Sequence, residues 1–355
     1  MRALASPVVY TDISGWGSRE SAMNNKLTAV IVILLICMFP VWCFASEETE
    51  AEAFHSGEWE YLLNEDGTVT LSHWDGEEES LVIPGELDGR QVTVIGDGAF
   101  STCTGLKEVT VPDSVTQIGG SAFYDCSGLV SVSIPDSVTC IGDHAFCLCT
   151  ALKDMSIPDS VTRIGKMAFT ASALHDVAIP ASVEEIGRWA FGTCLSLTDI
   201  EVSPENENYM VLGHALVETK TKTLICYPCG LTDSEYEIPE GITRIGNNAF
   251  SFCDNLVHIT IPEGVTEIGE LAFSDCRFLT HINIPQSVEK IGDLGFCNCK
   301  RLTDLMIPDS VTEFGRDAFN MCRDLTLTVP EGSHAEQYAK ENGIPYKQYG
   351  QRIDD

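Results

Sequence analysis

One stretch, LKEVTVPDSVTQIGGSAFYDC at residues 106–126, returns along the chain at a fixed interval, and that return limits what the sequence can fold into. The unit is L-x-x-I/V-x-I/V-P-x-x-V/I-T/E-x-I-G-x-x-A-F-x-x-C. Its Ile recurs at Ile95, Ile118, Ile141, Ile164, Ile186, Ile245, Ile268 and Ile291, with Phe314 in that place in a variant copy. Its Phe recurs at Phe100, Phe123, Phe146, Phe169, Phe191, Phe250, Phe273, Phe296 and Phe319. Most neighbours lie 23 residues apart. A unit this short can bury its apolar face only against the next one, so the period predicts a solenoid.

Strand alternation within a coil turns Leu106, Val109 and Val111 inward and leaves Glu108 and Thr110 outside. Pro112 has no N–H and ends the strand; Val115 and Ile118 form the return edge, Gly119 permits the turn, and Ala122-Phe123 drive a ring into the core. Each buried Phe contributes about 1.5–3 kcal/mol, and a ladder of nine is expected as the largest apolar feature. At these residues the chain resembles the BspA-like, or Treponema-type, leucine-rich repeat proteins. The likeness spans about residues 59–349. It implies a mostly β leucine-rich repeat solenoid of about nine 23-residue coils with N- and C-terminal caps. It further implies a bacterial surface protein that adheres to host or microbial partners.

A formal charge of −32 makes phosphate backbones and anionic membranes unfavourable partners, so nucleic acid is set aside. Residues 27–44 form an apolar run after Lys26, broken by Pro40 and followed by small residues and EETEAE. This pattern predicts a secretory signal over 23–45, cut after Ala45, with residues 1–22 a start-site extension. The alternative is an uncleaved anchor, the only form in which a membrane would be a partner, since the run is nearly long enough to span.

Residues 46–82 hold the acidic segment and a hairpin over 58–74, the expected N-terminal cap; an exposed solenoid end is a sheet edge that must be covered. Coils run over 83–330, beginning with a longer loop, GELDGRQ. The register breaks once, over 204–236, where strand-like alternation at 209–212, 215–218 and 223–227 predicts a variant hairpin coil. Residues 331–355 read as a short helix and a strand, the C-terminal cap.

Of 15 Cys, eight (Cys103, Cys126, Cys149, Cys194, Cys253, Cys276, Cys299 and Cys322) occupy the place three after the ladder Phe. They are expected as small buried thiols whose common direction disfavours disulfides between rungs. Cys140, Cys147, Cys226, Cys229 and Cys297 lie off the ladder. Cys226-Tyr-Pro-Cys229 has redox spacing but no helix N-terminus to activate a thiol, which leaves a local disulfide or free thiols.

Solenoids bind through the outward face of the strand sheet. The first outward column reads Glu108, Ser131, Asp154, Asp176, Asp199, His258, His281 and Asp304, and these are the candidate binding residues. Beside it run Thr110, Ser133, Ser156, Ala178, Glu201, Thr260, Asn283 and Met306. Asp154, Asp176 and Asp199 are a candidate Ca²⁺ set, and His258, His281 and Asp304 a candidate transition-metal set. However, two carboxylates about 5 Å apart in water repel by only about 0.8 kcal/mol, so a solvated acidic face needs no cation. No cofactor is implied. The repeated Asp-Ser pairs belong to a repeated turn, and no His falls in a catalytic motif, so an enzyme is not expected. The expectation is a secreted or cell-surface protein that recognises an extracellular protein or glycan without catalysis. A self-associating envelope component competes with it, and metal-dependent activity on the His258/His281/Asp304 ladder stands third.

Overall fold

The computed structural model describes residues 52–349. The expected signal segment and start-site extension lie outside the described residues.

Each coil contributes two short parallel strands. The first strand, Glu108–Thr110, pairs in parallel with Ser131–Ser133, and the second, Gln117–Ile118, with Cys140–Ile141 and then Arg163–Ile164. Val109 faces Val132 and Ile118 faces Ile141, so the ladder register equals the sequence period and each motif position becomes one column. Leu106, Val109, Val111, Val115, Ile118, Ala122 and Phe123 are all buried, while Glu108 and Thr110 are exposed. Gly119 is required by close approach: a Cβ there would lie 2.8 Å from the Ile95 carbonyl oxygen of the preceding coil.

The coil also turns through the left-handed region at residues that are not glycine. Ser121 and Asp125 (φ 53° and 52°), His144 and Leu148 (59° and 63°), and Leu271 and Asp275 (55° and 58°) recur at fixed offsets. Interlocking amides hold these corners. Phe123 N donates to Ala145 O at 2.8 Å, and Asp125 N donates to Cys147 O at 2.8 Å.

The Phe rings stack face to face from Phe100 to Phe191 at centroid spacings of 4.9–5.6 Å. The single ladder of nine expected from the sequence is instead two stacks. The second begins with Tyr227, whose ring lies 5.2 Å from Phe250, and continues through Phe273 and Phe296 to Phe319. The cause is the variant coil. Its strands Tyr209–Leu212, Ala215–Glu218 and Thr223–Cys226 pair antiparallel, and the last then pairs in parallel with Arg244–Ile245. Ala215–Glu218 lies between two cores: Leu216 packs into the first, Ala215 and Val217 into the second.

Both caps form. Strand Trp59–Leu63 pairs antiparallel with Val69–Trp74, which joins the solenoid by pairing in parallel with Arg90–Ile95. Trp59 and Trp74 close the first stack at 6.3 and 5.8 Å from Phe100. A further strand, Ala53–Ser56, which the sequence did not announce, pairs antiparallel with Trp59–Leu63. The GELDGRQ loop is a small hairpin, Glu86–Leu87 against Gln91 and Arg90. It is pinned by Tyr61 Oη donating to Asp88 at 2.8 Å. At the other end, helix His334–Glu341 is capped by Ser333, whose Oγ accepts from Glu336 N at 3.2 Å, while Glu336 accepts from Gly332 N at 2.6 Å. Tyr338 stacks on Phe314 at 4.6 Å, and strand Tyr346–Tyr349 extends the sheet beside Thr326–Pro330. Among the described residues no helix is long and apolar enough to cross a membrane.

Candidate functional site

The outward residues of the first strands form the candidate face, and the ladder brings them together in four groups. Glu108, Ser131 and Asp154 stand in one hydrogen-bonded register. Asp176 pairs with Asp199, His258 with His281, and Asp304 with Thr326. The ladder lapses between the strands of Asp154 and Asp176. There the coil from Leu152 to Leu174 is 22 residues, one shorter than its neighbours, with Ser172 in the ladder Cys place.

Glu108, Asp154, Asp176, Asp199, His281 and Asp304 are exposed, and Ser131 and His258 half-buried. Among the described residues, Asp154, Asp176 and Asp199 make no side-chain hydrogen bond or ion pair, and Glu108 accepts one hydrogen bond, from Ser80 Oγ at 3.2 Å. The other half of the column is self-paired. His258 Nδ1 lies 3.2 Å from Glu235 Oε1, the His258 and His281 rings meet edge to face at 4.6 Å, and Lys347 Nζ of the C-terminal cap donates to Asp304 at 2.7 Å. Glu235 belongs to this column, in register with His258. Sequence counting misses it by running the irregular segment to residue 236, although Pro239 places Glu235 four residues ahead of it just as Pro262 places His258.

Neither expected metal set is assembled. Among the described residues no group of three or more His, Cys, Asp and Glu side chains is placed to hold a metal ion. His258 is turned to Glu235 and Asp304 to Lys347, and the ladder that would align Asp154 with Asp176 is interrupted. In the adjoining column Asn283 is also occupied: its amide donates to Ile261 O and accepts from Ile261 N, both at 2.8 Å, in place of ladder backbone.

The coil's other repeated polar groups are mostly spent between coils. In the Pro-Asp-Ser turns Ser137 donates to Val115 O and Ser160 to Val138 O of the preceding coil, both at 2.6 Å, whereas Ser310 Oγ of the last such turn is buried without a partner among the described residues. Thr116, Thr139 and Thr162 donate one coil back in the same way, at 3.2–3.3 Å. Asp143 accepts from Lys166 N at 2.9 Å and Asn247 from Glu270 N at 2.8 Å. Ser137 and Ser160 of the Asp-Ser repeats therefore make bonds between coils of the solenoid.

The ladder thiols behave likewise. Cys126 donates to Phe100 O at 3.0 Å, Cys149 to Phe123 O at 3.1 Å and Cys276 to Phe250 O at 3.0 Å. Burial pushes the Cys126 thiol up to about 12, which leaves it unreactive at neutral pH. Two expectations need correction. Cys253, a ladder member, is disulfide-bonded, and Cys226 and Cys229 are not bonded to each other: Cys229 pairs with Cys253. Cys229 sits one residue out of the ladder offset, so its side chain reaches the neighbouring rung from a different direction than stacked thiols share.

Parallel coils in repeat register and stacked rings along the core define a leucine-rich repeat protein. The model of the BspA type leucine rich repeat region matches in 6 copies over residues 79–206 and 224–339, and the chain belongs to that family. It is similar to a leucine rich cell surface protein from Faecalibacterium prausnitzii A2-165, with 28% identity over 86% of this chain and 97% of that one, at a TM-score of 0.65. A leucine-rich repeat protein from Eubacterium ventriosum is 26% identical over 78% of this chain and 76% of its own, at 0.57. The pneumococcal vaccine antigen PcpA, 23% identical over 79% of this chain and 82% of its own, shares the fold at 0.66. No curated protein sequence matches the chain.

Proposed function

We propose that this is a secreted or cell-surface recognition protein that binds an extracellular protein or glycan, without catalysis, through the outward face of its first strands. One observation carries the reading. Most repeated polar groups of the coil are engaged by a neighbouring coil, whereas Asp154 on one strand ladder and Asp176 and Asp199 on the next project outward with their hydrogen-bonding capacity unused. Unspent acceptors held on backbone-paired strands are what a preorganised binding surface needs. The cell-surface description of the Faecalibacterium relative supports the location, as does the Cys229–Cys253 disulfide, a bond that persists in oxidising compartments.

The test is binding of the chain from residue 46 onward to intact bacterial and host cells, beside an Asp154→Ala/Asp176→Ala/Asp199→Ala variant. Saturable binding that the variant loses is the expected result. Binding that survives in the variant would move the site elsewhere on the coil, and no binding to any cell would sink the recognition reading.

A further inference from the structure

We propose a second recognition site, independent of the strand face, at the corner that precedes the first strands of the last coils, and that it takes an anionic polysaccharide. In the first half of the solenoid the two residues between the ladder Cys and the following Leu are uncharged: Thr104-Gly105, Ser127-Gly128, Thr150-Ala151 and Leu195-Ser196. On three consecutive coils of the second half they are Arg277-Phe278, Lys300-Arg301 and Arg323-Asp324. Four cations therefore gather on one corner of a chain whose formal charge is −32, with Asp324 the single carboxylate among the six residues.

The side chains are arranged for binding. Arg277 is half-buried and held by Asp254, its Nε 3.1 Å from Oδ1. The Arg301 guanidinium lies 4.6 Å over the ring of Phe278, which is 40% exposed. Among the described residues, Lys300, Arg301 and Arg323 are exposed and make no ion pair, although carboxylates outnumber cations in the chain 53 to 21. An Arg stacked on a ring keeps its N–H edges directed outward, ready for a bidentate grip on a carboxylate or sulfate, with little side-chain entropy left to lose.

The repeat chooses the ligand class. Coils stack about 4.8 Å apart, so the corner presents cations in a row, which suits a linear polymer carrying an acidic group on each repeat. At physiological salt a narrow strand lying along the corner is screened beyond about 8 Å from the rest of the acidic surface. A wide polyanion such as duplex DNA, or a second copy of this chain, would bring its charge against that surface and be repelled.

The experiment measures retention of the full chain on immobilised heparin and on polygalacturonate, with dextran as the neutral control. We expect saturable binding to at least one acidic glycan, none to dextran, and steady weakening as salt rises. Lys300→Gln/Arg301→Gln/Arg323→Gln, at exposed positions that leave the core intact, should weaken it at least tenfold, while Lys153→Gln on another coil should not. The Asp154/Asp176/Asp199 alanine variant should bind the glycan unchanged, which separates this site from the strand face. Absence of binding to both acidic glycans, or equal binding by the triple Gln variant, would overturn the proposal. So would concentration-dependent self-association that the triple Gln variant abolishes, since the corner would then belong to a second copy.

Discussion

The Tyr209 hydroxyl accepts a 2.7 Å hydrogen bond from the backbone amide of Ile186. Ile186 is the last residue of the second-strand sheet before the variant coil, and its amide faces the gap where the next parallel strand would have been. Tyr209 closes that edge with a side chain instead of a carbonyl. Tyr338 repeats the device at the C-terminal end, where its hydroxyl accepts from Ala318 N at 3.0 Å. Burial raises the pKa of both phenols, so both remain neutral across the physiological range.

Tyr209→Phe keeps the ring and strands the Ile186 amide. An unsatisfied, largely shielded N–H costs about 1–3 kcal/mol. Urea unfolding should show that loss, with faster amide exchange at 185–186; an unchanged midpoint would mean water replaces the hydroxyl without cost.

Phe146→Ala removes the middle ring of the first stack and should cost about 3–5 kcal/mol. Because the three strands of the variant coil separate the two cores, the loss should fall on the first. Hydrogen exchange should rise across residues 100–190 while residues 245–325 keep their protection. A uniform rise would show that the halves unfold as one unit.

Lys340, with the Gly332 amide and Gln348, holds the Glu336 carboxyl at about 2, below its ordinary 4.5. A depressed carboxyl stabilises the fold fully above the unfolded value, and that contribution disappears as pH falls from about 4.5 to about 2. The C-terminal cap should therefore loosen in that window. Glu336→Gln should be less stable than the parent at pH 7 and converge with it near pH 2; a constant difference down to pH 2 would remove the assigned cause.

Cys229→Ser opens the 24-residue loop closed by the disulfide, a change worth about 3 kcal/mol. The freed Cys253 thiol lies 26 residues after Tyr227, the same interval at which Cys276 donates to Phe250 O, so it has an acceptor in register. We expect a lower unfolding midpoint with the coil register intact, and peptide mapping of the parent without reductant should join only the peptides of Cys229 and Cys253. Loss of protection throughout residues 223–270 would show that the coil depends on the bond for its shape.

The coil was legible because its register equals its period: once Val109 is known to be inward, Val132 and its equivalents follow. In the variant coil alternation alone gives the strands Tyr209–Leu212 and Ala215–Glu218, and runs the third one residue past its end at Cys226. Three things were not legible. The split of the ring ladder follows from the 36 residues between Phe191 and Tyr227, although Tyr227 itself lies one 23-residue period before Phe250. The left-handed corners carry Gly98 in the first coil but Ser, Asp, His and Leu in later ones, so no repeated glycine marks them. The Cys229–Cys253 bond arises from a one-residue displacement that only three-dimensional placement reveals. On the candidate face, columns could be counted, but partners arriving from outside the repeat, such as Lys347 at Asp304, could not.

The Ser, Thr and Cys ladders share a direction, with the donor always one coil later than its acceptor. A coil is thus defined by what it receives from behind and what it offers ahead, and both are the same from one regular coil to the next. Removing or duplicating one regular 23-residue unit should leave its Ser, Thr and Cys donors facing equivalent acceptors. Length is a free variable of this architecture, and the span of the surface it displays can change without any change in how the chain folds.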